Sequence, residues 1–253
     1  MKPEIKQFNT MVGGKPITFE TGRLASLAGG SVTVRYGDTM IFAAATISPD
    51  IRPGIDFFPL TVDYEERMYA GGRIPGSFFR REGRPSEEAI LIARLTDRPL
   101  RPLFPKDMRN DVQVILYSFS VDGENPIDIL AINAASAALM ISDAPWGGPV
   151  AAVRVGRING QLVINPTISE QETSDLDLRL AGTRDAILMV ECGAKEVPES
   201  VMVEALNFGH QSLQPLIDTM EQMAGDIGKA KITYTPFVTS EPILSQVNQN
   251  AAG

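Results

Sequence analysis

The feature that most restricts the fold is an apolar segment, residues 127–141, with no polar face and with five alanines among its members. A helix that is apolar all round and rich in small residues has to pack tightly against a sheet or neighbouring helices. The segment is shorter than the ~20 residues that cross a bilayer, and Asp128 and Asn133 interrupt it. It therefore predicts a buried central helix, ending near Ser142.

Most other patterns predict short strands, because they are β-branched or alternate between apolar and polar residues. They cover residues 17–20, 24–27, 32–36, 39–47, 57–64, 112–120, 150–158, 161–164, 176–182 and 186–192. Tyr36-Gly37-Asp38-Thr39 and Asn159-Gly160 predict hairpin turns. Helices are predicted from Ser86, a capping residue, to Arg98 before Pro99, and over 198–227. The expected class is α+β, a mixed β-sheet packed with helices.

The charge of the chain is divided unevenly. The formal net charge is -8, which disfavours non-specific binding to phosphate backbones. Residues 67–109, however, contain ten basic and five acidic side chains. This basic segment on an acidic body would concentrate an anionic ligand at one place.

The cysteine content and the N-terminal sequence indicate the cellular compartment. One cysteine, Cys192, excludes an intrachain disulfide and favours a reducing setting. The chain opens without a charged-then-apolar leader, so secretion is not expected. We expect a cytoplasmic protein that does not bind membranes.

Residues 78–87 read Phe-Phe-Arg-Arg-Glu-Gly-Arg-Pro-Ser-Glu and carry the clearest functional signal. Phe78 and Phe79 can stack on bases, while Arg80, Arg81 and Arg84 can bind phosphates. The surrounding stretch, 65–85, is glycine-rich and long for a connection, which favours a functional or partly disordered loop. The sequence therefore predicts contact with single-stranded nucleic acid. The alternative is that the two rings pack into a core and the arginines are solvated.

Arginines of the following helix can extend this surface. Arg94 and Arg98 are four residues apart and share a helix face. With Arg101 they are candidates for secondary RNA or phosphate contacts. Ion pairing with neighbours such as Asp97 is the competing interpretation.

Other common chemistries lack their motifs. The chain contains neither GxxxxGK[ST] nor GxGxxG, and no cysteine or histidine cluster for zinc. The one histidine, His210, falls within a predicted helix, where a structural role is the simpler interpretation, and a catalytic triad has no other base.

Several motifs together resemble the first core domain of the bacterial polynucleotide phosphorylase (polyribonucleotide nucleotidyltransferase) family, which has the ribonuclease PH fold. They are residues 78–87, the run Arg-Leu-Thr-Asp-Arg-Pro-Leu-Arg-Pro-Leu-Phe-Pro at 94–105, Gly37-Asp38-Thr39 and Phe208-Gly209-His210. The resemblance spans about residues 5–235. It implies a core domain at 1–235 and, at 236–253, the start of a linker toward a helical domain.

The resemblance implies a phosphorolytic 3'-to-5' exoribonuclease of mRNA degradation, which uses inorganic phosphate, releases nucleoside diphosphates and forms a homotrimeric ring. In that family the active site, with its magnesium, resides mainly in a second core domain. The implied role here is guiding single-stranded RNA through the ring channel and forming the ring. The isolated chain is then expected to be inactive; the alternative is a standalone noncatalytic RNA-binding and assembly domain.

The residues at the corresponding positions support an inactive site. The family's phosphate-binding serine turn corresponds here to Asn125-Pro126-Ile127-Asp128, and one of its two metal-binding aspartates to Gln171. Asp175 and Asp177 would still share one strand face. They are expected to be solvated or paired, with weak magnesium binding as the alternative. We therefore assign no catalytic and no metal residue, and expect no tight magnesium binding.

Overall fold

The structure is a computed structural model that describes residues 4–76, 84–239 and 241–251. The predicted stacking residues Phe78 and Phe79, with Arg80 and Arg81, lie outside these ranges.

The first sheet is mixed and has six strands in the order β1-β2-β3-β4-β6-β5. The strands are β1 Lys6–Val12, β2 Lys15–Thr21, β3 Gly30–Tyr36, β4 Thr39–Ile47, β5 Leu60–Glu66 and β6 Val112–Ser120. All neighbours are antiparallel except β5 and β6. A parallel pair requires a crossover connection, and the chain between β5 and β6 supplies it with a helix.

The second sheet has four antiparallel strands in the order β10-β9-β7-β8. They are β7 Ala151–Ile158, β8 Gln161–Ile164, β9 Leu176–Gly182 and β10 Ile187–Ala194. Asn159 and Gly160 both have positive φ, 52° and 81°, as a type I′ hairpin turn requires. The predicted hairpin is therefore confirmed.

Six α-helices occur in the described ranges: α1 Glu87–Leu100, α2 Ile127–Ile141, α3 Ile168–Gln171, α4 Glu199–Ser212, α5 Gln214–Ile227 and α6 Glu241–Ala251. Helix α2 lies between the two sheets and also contacts α1 and α5. Helix α4 packs on β7, β8 and β9. The α+β prediction is confirmed. None of these helices combines the length and the apolar character that a membrane span needs.

The predicted burial of α2 is confirmed, since twelve of its residues are buried. Its small residues let strands approach closely: a Cβ on Gly30 in β3 would overlap the carbonyl oxygen of Ala138. Asn133 exchanges two hydrogen bonds with the backbone of Ala152 at 2.8 and 2.9 Å. This polar residue of the helix thereby ties α2 to β7, because a buried amide requires hydrogen-bond partners.

Some sequence predictions were wrong. Residues 24–27 form a turn rather than a strand, with Ala25 at φ 50° and Leu27 fully exposed. Strand β1 was not predicted, because polar residues obscure its alternation. The strand expected at 57–64 lies at Leu60–Glu66.

Two helix ends also differ from the prediction. Pro99 does not stop α1, which continues to Leu100; a proline in the last turn interrupts little of the helix beyond it. The helix expected over 198–227 is broken at Leu213, where α4 ends and α5 begins with Pro215 in its first turn. Proline is favoured in the first turn of a helix, because the N–H group that it lacks would have no acceptor within the helix.

Residues 228–239 form an extended strap that packs on the body instead of leaving it. Lys231 Nζ donates to the carbonyl oxygens of Leu139, Met140 and Ser142 at 3.2, 2.9 and 2.6 Å, which satisfies the end of α2. Burial lowers the pKa of Lys231. Further along, the Tyr234 hydroxyl donates to Asp107 at 2.7 Å. At the start of the region expected to be a linker, 236–253, the Phe237 N–H donates to the Asp107 carbonyl oxygen at 2.8 Å.

The turn between β3 and β4 interlocks with the segment that leads into α2. Gly37 has φ 62°, and a Cβ at this position would lie 2.5 Å from Asn125 Nδ2. Thr39 Oγ1 donates to the Asn125 carbonyl oxygen at 3.3 Å. The Gly-Asp-Thr motif therefore fixes the entry to the central helix.

We expect Gly37→Ala to destabilise the chain more than Gly14→Ala, by about 1–3 kcal/mol. Both glycines have positive φ, but a Cβ on Gly14 would meet no atom within 4 Å. The control therefore carries the backbone strain without the clash. Urea denaturation of both variants would measure the difference; equal losses would show that the contact with Asn125 is unimportant.

Candidate functional site

A cleft of about 800 Å³ lies where the two sheets meet α1 and the first turn of α2. One wall is α1, with Leu91 and Arg94, and the opposite wall comes from the segment after β5, with Arg73. Side chains of the second sheet form the floor. Its position at the amino end of a buried helix and between two sheets makes it the candidate site.

The floor is an ionic cluster centred on one carboxylate oxygen. Asp128 Oδ2 accepts from Arg154 Nη2 at 2.8 Å and from Arg179 Nε at 2.9 Å. Asp177 lies between the same arginines, 3.0 Å from Arg154 Nε and 3.2 Å from Arg179 Nη2. The 3.0 Å contact is an ion pair whose angle does not make a hydrogen bond.

The cluster extends to α1. Arg179 Nη1 lies 3.3 Å from Glu191 Oε1, and Glu191 Oε2 accepts from Arg98 Nη1 at 2.9 Å. Glu191 and Arg179 are cross-strand partners of β10 and β9. Three guanidinium groups thus face three carboxylates, and their formal charges cancel.

Arg154 is the most deeply buried charge of the cluster, with 5% of its surface exposed. Its Nη1 donates to Gln171 Oε1 at 2.9 Å, and the Gln171 amide donates to the Pro166 carbonyl oxygen at 3.0 Å. A buried guanidinium is tolerated only when it is paired and hydrogen-bonded. Gln171 therefore holds an arginine in place.

Asp122 organises the segment that leads into α2. Its carboxylate accepts from the backbone N–H groups of Glu124, Asn125 and Asp38 at 2.9, 2.8 and 3.1 Å. Partial burial alone would raise the pKa of Asp122, but the hydrogen bonds from Asn125 and Glu124 outweigh it and hold this pKa well below its ordinary value.

Comparison with known proteins agrees with this architecture. The model of domain 1 of the 3' exoribonuclease family, RNase PH, matches residues 13–145, and the model of its domain 2 matches residues 148–212. The chain belongs to the 3' exoribonuclease family. The ribonuclease PH fold expected from the sequence motifs is thereby confirmed.

Relatives within this family are close in sequence. The chain is 54% identical to a polyribonucleotide nucleotidyltransferase of Heliobacterium modesticaldum, over 97% of the chain and 35% of that protein. It is 56% identical to one of Chloroflexus aurantiacus, over 94% of the chain and 31% of that protein. The chain therefore spans about a third of the length of these relatives.

Solved structures share the fold at low sequence identity. Rice Rrp46 matches with a TM-score of 0.66 and 16% identity, over 88% of this chain and 96% of that one. A chain of the Archaeoglobus fulgidus exosome, solved with RNA bound to the active site, matches with a TM-score of 0.60 and 18% identity, over 85% of this chain and 87% of that one.

In this member of the 3' exoribonuclease family, residues before and after the predicted RNA loop line the cleft. Arg73 and Glu88 line it from the two sides of residues 77–83. Arg84 is exposed just before α1. The predicted cap is confirmed: Ser86 Oγ accepts from Ala89 N–H at 3.1 Å and donates to Glu66 at 3.0 Å.

Arg94 and Arg98 both line the cleft, as their shared helix face predicts. Arg98 pairs with Glu191 rather than with Asp97. Asp97 instead pairs with Arg101, whose guanidinium also donates to the carbonyl oxygens of Phe58 and Leu60 at 3.2 and 3.0 Å. Arg101 thus fastens the end of α1 to β5 and is not brought to the cleft.

Asp175 and Asp177 are each paired with arginine, although they do not act as one pair. Asp175 lies 2.8 Å from Arg157, whereas Asp177 belongs to the floor of the cleft. Among the described residues no three acidic, histidine or cysteine side chains gather as metal ligands. Both oxygens of Asp177 and one oxygen of Asp175 face arginines, so these residues do not fit the magnesium site that the resemblance implies for the family.

The sequence reasoning missed Arg154, Arg179 and Glu191. Arg154 stands in the apolar run Ala-Ala-Val-Arg-Val, 151–155, and a charge within a buried strand could have signalled a paired site. His210, by contrast, has a structural partner: its Nε2 lies 3.0 Å from the Thr183 carbonyl oxygen.

We expect the free energy of unfolding to decrease more steeply with falling pH in the native chain than in the variant Asp122→Asn. The pKa of Asp122 is lower in the folded state, so its contribution is complete above the unfolded pKa of about 3.9 and is lost as pH falls below about 4. The free energy of unfolding, measured from pH 6 to pH 2.5, should fall by more in the native chain than in the variant below about pH 4, so that the difference between the two proteins narrows. Parallel curves would contradict this.

Proposed function

We propose that the chain is a core domain of a phosphate-dependent 3'-to-5' exoribonuclease, a polyribonucleotide nucleotidyltransferase, and that it guides RNA instead of performing the chemistry. The identity of more than half of its residues with proteins of that name, over nearly the whole chain, supports the enzyme class. The observation that argues against chemistry in this chain is the cleft floor, where every carboxylate is bound by arginine.

Phosphorolysis needs a free place for phosphate and groups that balance its charge as the phosphodiester breaks. In this cleft Asp128 occupies the two guanidinium groups that could receive an anion. The neutral Gln171 is bound to Arg154. The guanidinium groups of this cleft floor are therefore already paired, and we assign catalysis to a different part of the full protein.

The RNA-guiding role rests on the loop and on the cleft rim. Phe78 and Phe79 offer ring faces to successive bases, which any sequence can use. Arg80, Arg81 and Arg84 bind phosphates, and exposed Arg73 and Arg94 continue the basic surface along the cleft. Affinity for RNA should accordingly fall with added salt.

The full assembly follows from the same proposal. Three copies form a ring in which the loops meet at a channel that admits single strands in mRNA degradation in the cytoplasm. Magnesium, inorganic phosphate and nucleoside diphosphates act at a second core domain. The alternative is a standalone noncatalytic domain for RNA binding and assembly, which the neutralised cluster would equally suit.

We expect the chain alone to release no nucleoside diphosphate when it is incubated with single-stranded RNA, inorganic phosphate and magnesium. The full-length polyribonucleotide nucleotidyltransferase of Thermus thermophilus, 54% identical over 92% of this chain, serves as the positive control. Chromatography of the products would measure turnover. Release of nucleoside diphosphates by the chain at a rate comparable to that of the control would place catalysis in this domain.

The double substitution Phe78→Ala/Phe79→Ala should weaken binding of single-stranded RNA about tenfold or more, because stacking is worth ~1–3 kcal/mol per base. Its thermal unfolding should be unchanged. Phe57→Ala is the matched control, since Phe57 is 61% exposed and does not line the cleft. Fluorescence anisotropy would measure affinity; equal affinities of the double variant and the control would rule out stacking.

A further inference from the structure

The carboxyl end of α2, on the side away from the cleft, gathers backbone carbonyl oxygens around one point. Lys231 Nζ lies at that point and donates to the carbonyl oxygens of Leu139, Met140 and Ser142 at 3.2, 2.9 and 2.6 Å. The last carbonyl groups of a helix lack partners within the helix and form the negative end of its dipole. The position that the ammonium group fills therefore favours a positive charge.

A carboxylate adds a full negative charge near this position. Asp143 follows Ser142 directly, and within the described part of the chain its buried Oδ1 has no hydrogen-bond donor. Burial lowers the pKa of Lys231, and the attraction of the Asp143 carboxylate opposes that shift. The charge of Asp143 therefore acts on the ammonium group. A buried carboxylate oxygen that lacks a donor is stabilised by a cation close to it.

Backbone hydrogen bonds hold the strap in place on both sides of Lys231. The Lys229 N–H donates to the Ile141 carbonyl oxygen at 3.1 Å, and the Ile232 N–H donates to the Asp143 carbonyl oxygen at 2.8 Å. These bonds do not involve the Lys231 side chain. When that side chain is shortened, the carbonyl oxygens should therefore stay arranged around the vacated position, so the site is preorganised.

We propose that the carboxyl end of α2 is a binding site for a monovalent cation of the size of ammonium or potassium, and that Lys231 supplies this cation as part of the chain. Backbone carbonyl oxygens coordinate potassium by replacing its hydration shell. An ammonium ion resembles potassium in size and charge, so the same oxygens can bind either. In the native chain the tethered ammonium group fills the site, which makes the attachment of the strap independent of dissolved cations. The inference does not rest on the proposed function.

The test is thermal unfolding of Lys231→Ala in increasing potassium chloride, with choline chloride holding the ionic strength constant. Choline is too large for the position of one ammonium group. A ligand that binds only the folded state raises the melting temperature by mass action. We expect potassium to raise that of the variant by about 2–4 °C, the shift given by a ligand at about five times its dissociation constant. The native chain should show no such rise, and equal responses of the two proteins would overturn the proposal.

Two controls locate the site. Lys229→Ala also removes an ammonium group from the strap, but one that donates to the Ala28 carbonyl oxygen at 3.0 Å, outside this site. It should gain no response to potassium. Lys231→Ala/Asp143→Asn should respond less than Lys231→Ala, because a neutral amide replaces the carboxylate. A response in either control equal to that of Lys231→Ala would show that potassium acts elsewhere, which contradicts the proposal.

Lys231→Ser is the second variant if Lys231→Ala folds poorly. Its hydroxyl adds one oxygen without restoring the positive charge, so this variant should likewise become more stable in potassium chloride. Folding of either variant in potassium chloride but not in choline chloride would support the proposal. Failure of both variants to respond to potassium, or to fold in its presence, would overturn it.

Discussion

The burial of α2 on all sides is the constraint on which the structure depends. A helix without a polar face cannot rest on a single sheet, so one sheet packs against each side of it. Two of its polar residues make hydrogen bonds to the surrounding backbone. Asn133 bonds to the backbone of β7, and Ser136 accepts from the Val150 N–H at 3.0 Å. The two sheets are thereby fixed relative to each other, and the cleft opens where they meet the first turn of α2.

The ionic cluster shows how the fold accommodates several charged side chains at the floor of the cleft. A single buried charge destabilises the folded state strongly, whereas a balanced group of paired charges has a much smaller desolvation cost. Asp128, Arg154 and Arg179 satisfy one another and connect α2 to the second sheet. Such a cluster contributes shape and rigidity to the cleft, because its arginines and carboxylates bind one another.

Much of the fold could be predicted because its signals are local. Alternation located most strands, Asn159-Gly160 set a hairpin, and Ser86 marked the start of α1. The partners of Arg154 could not be predicted, because Asp128, Gln171 and Asp177 meet it only through tertiary packing. Local signals also misled: apolar residues at 24–27 suggested a strand, yet positive φ at Gly22 and Ala25 turns the chain there.

The strap has a consequence for synthesis of the chain. Lys231 satisfies carbonyl groups of α2 that lie 92 residues earlier at Leu139. While the protein is being made, the central helix and the sheets around it are translated well before this lysine emerges from the ribosome. A nascent chain that stalls before residue 231 would therefore contain both sheets and yet lack the Lys231 hydrogen bonds at the end of the central helix.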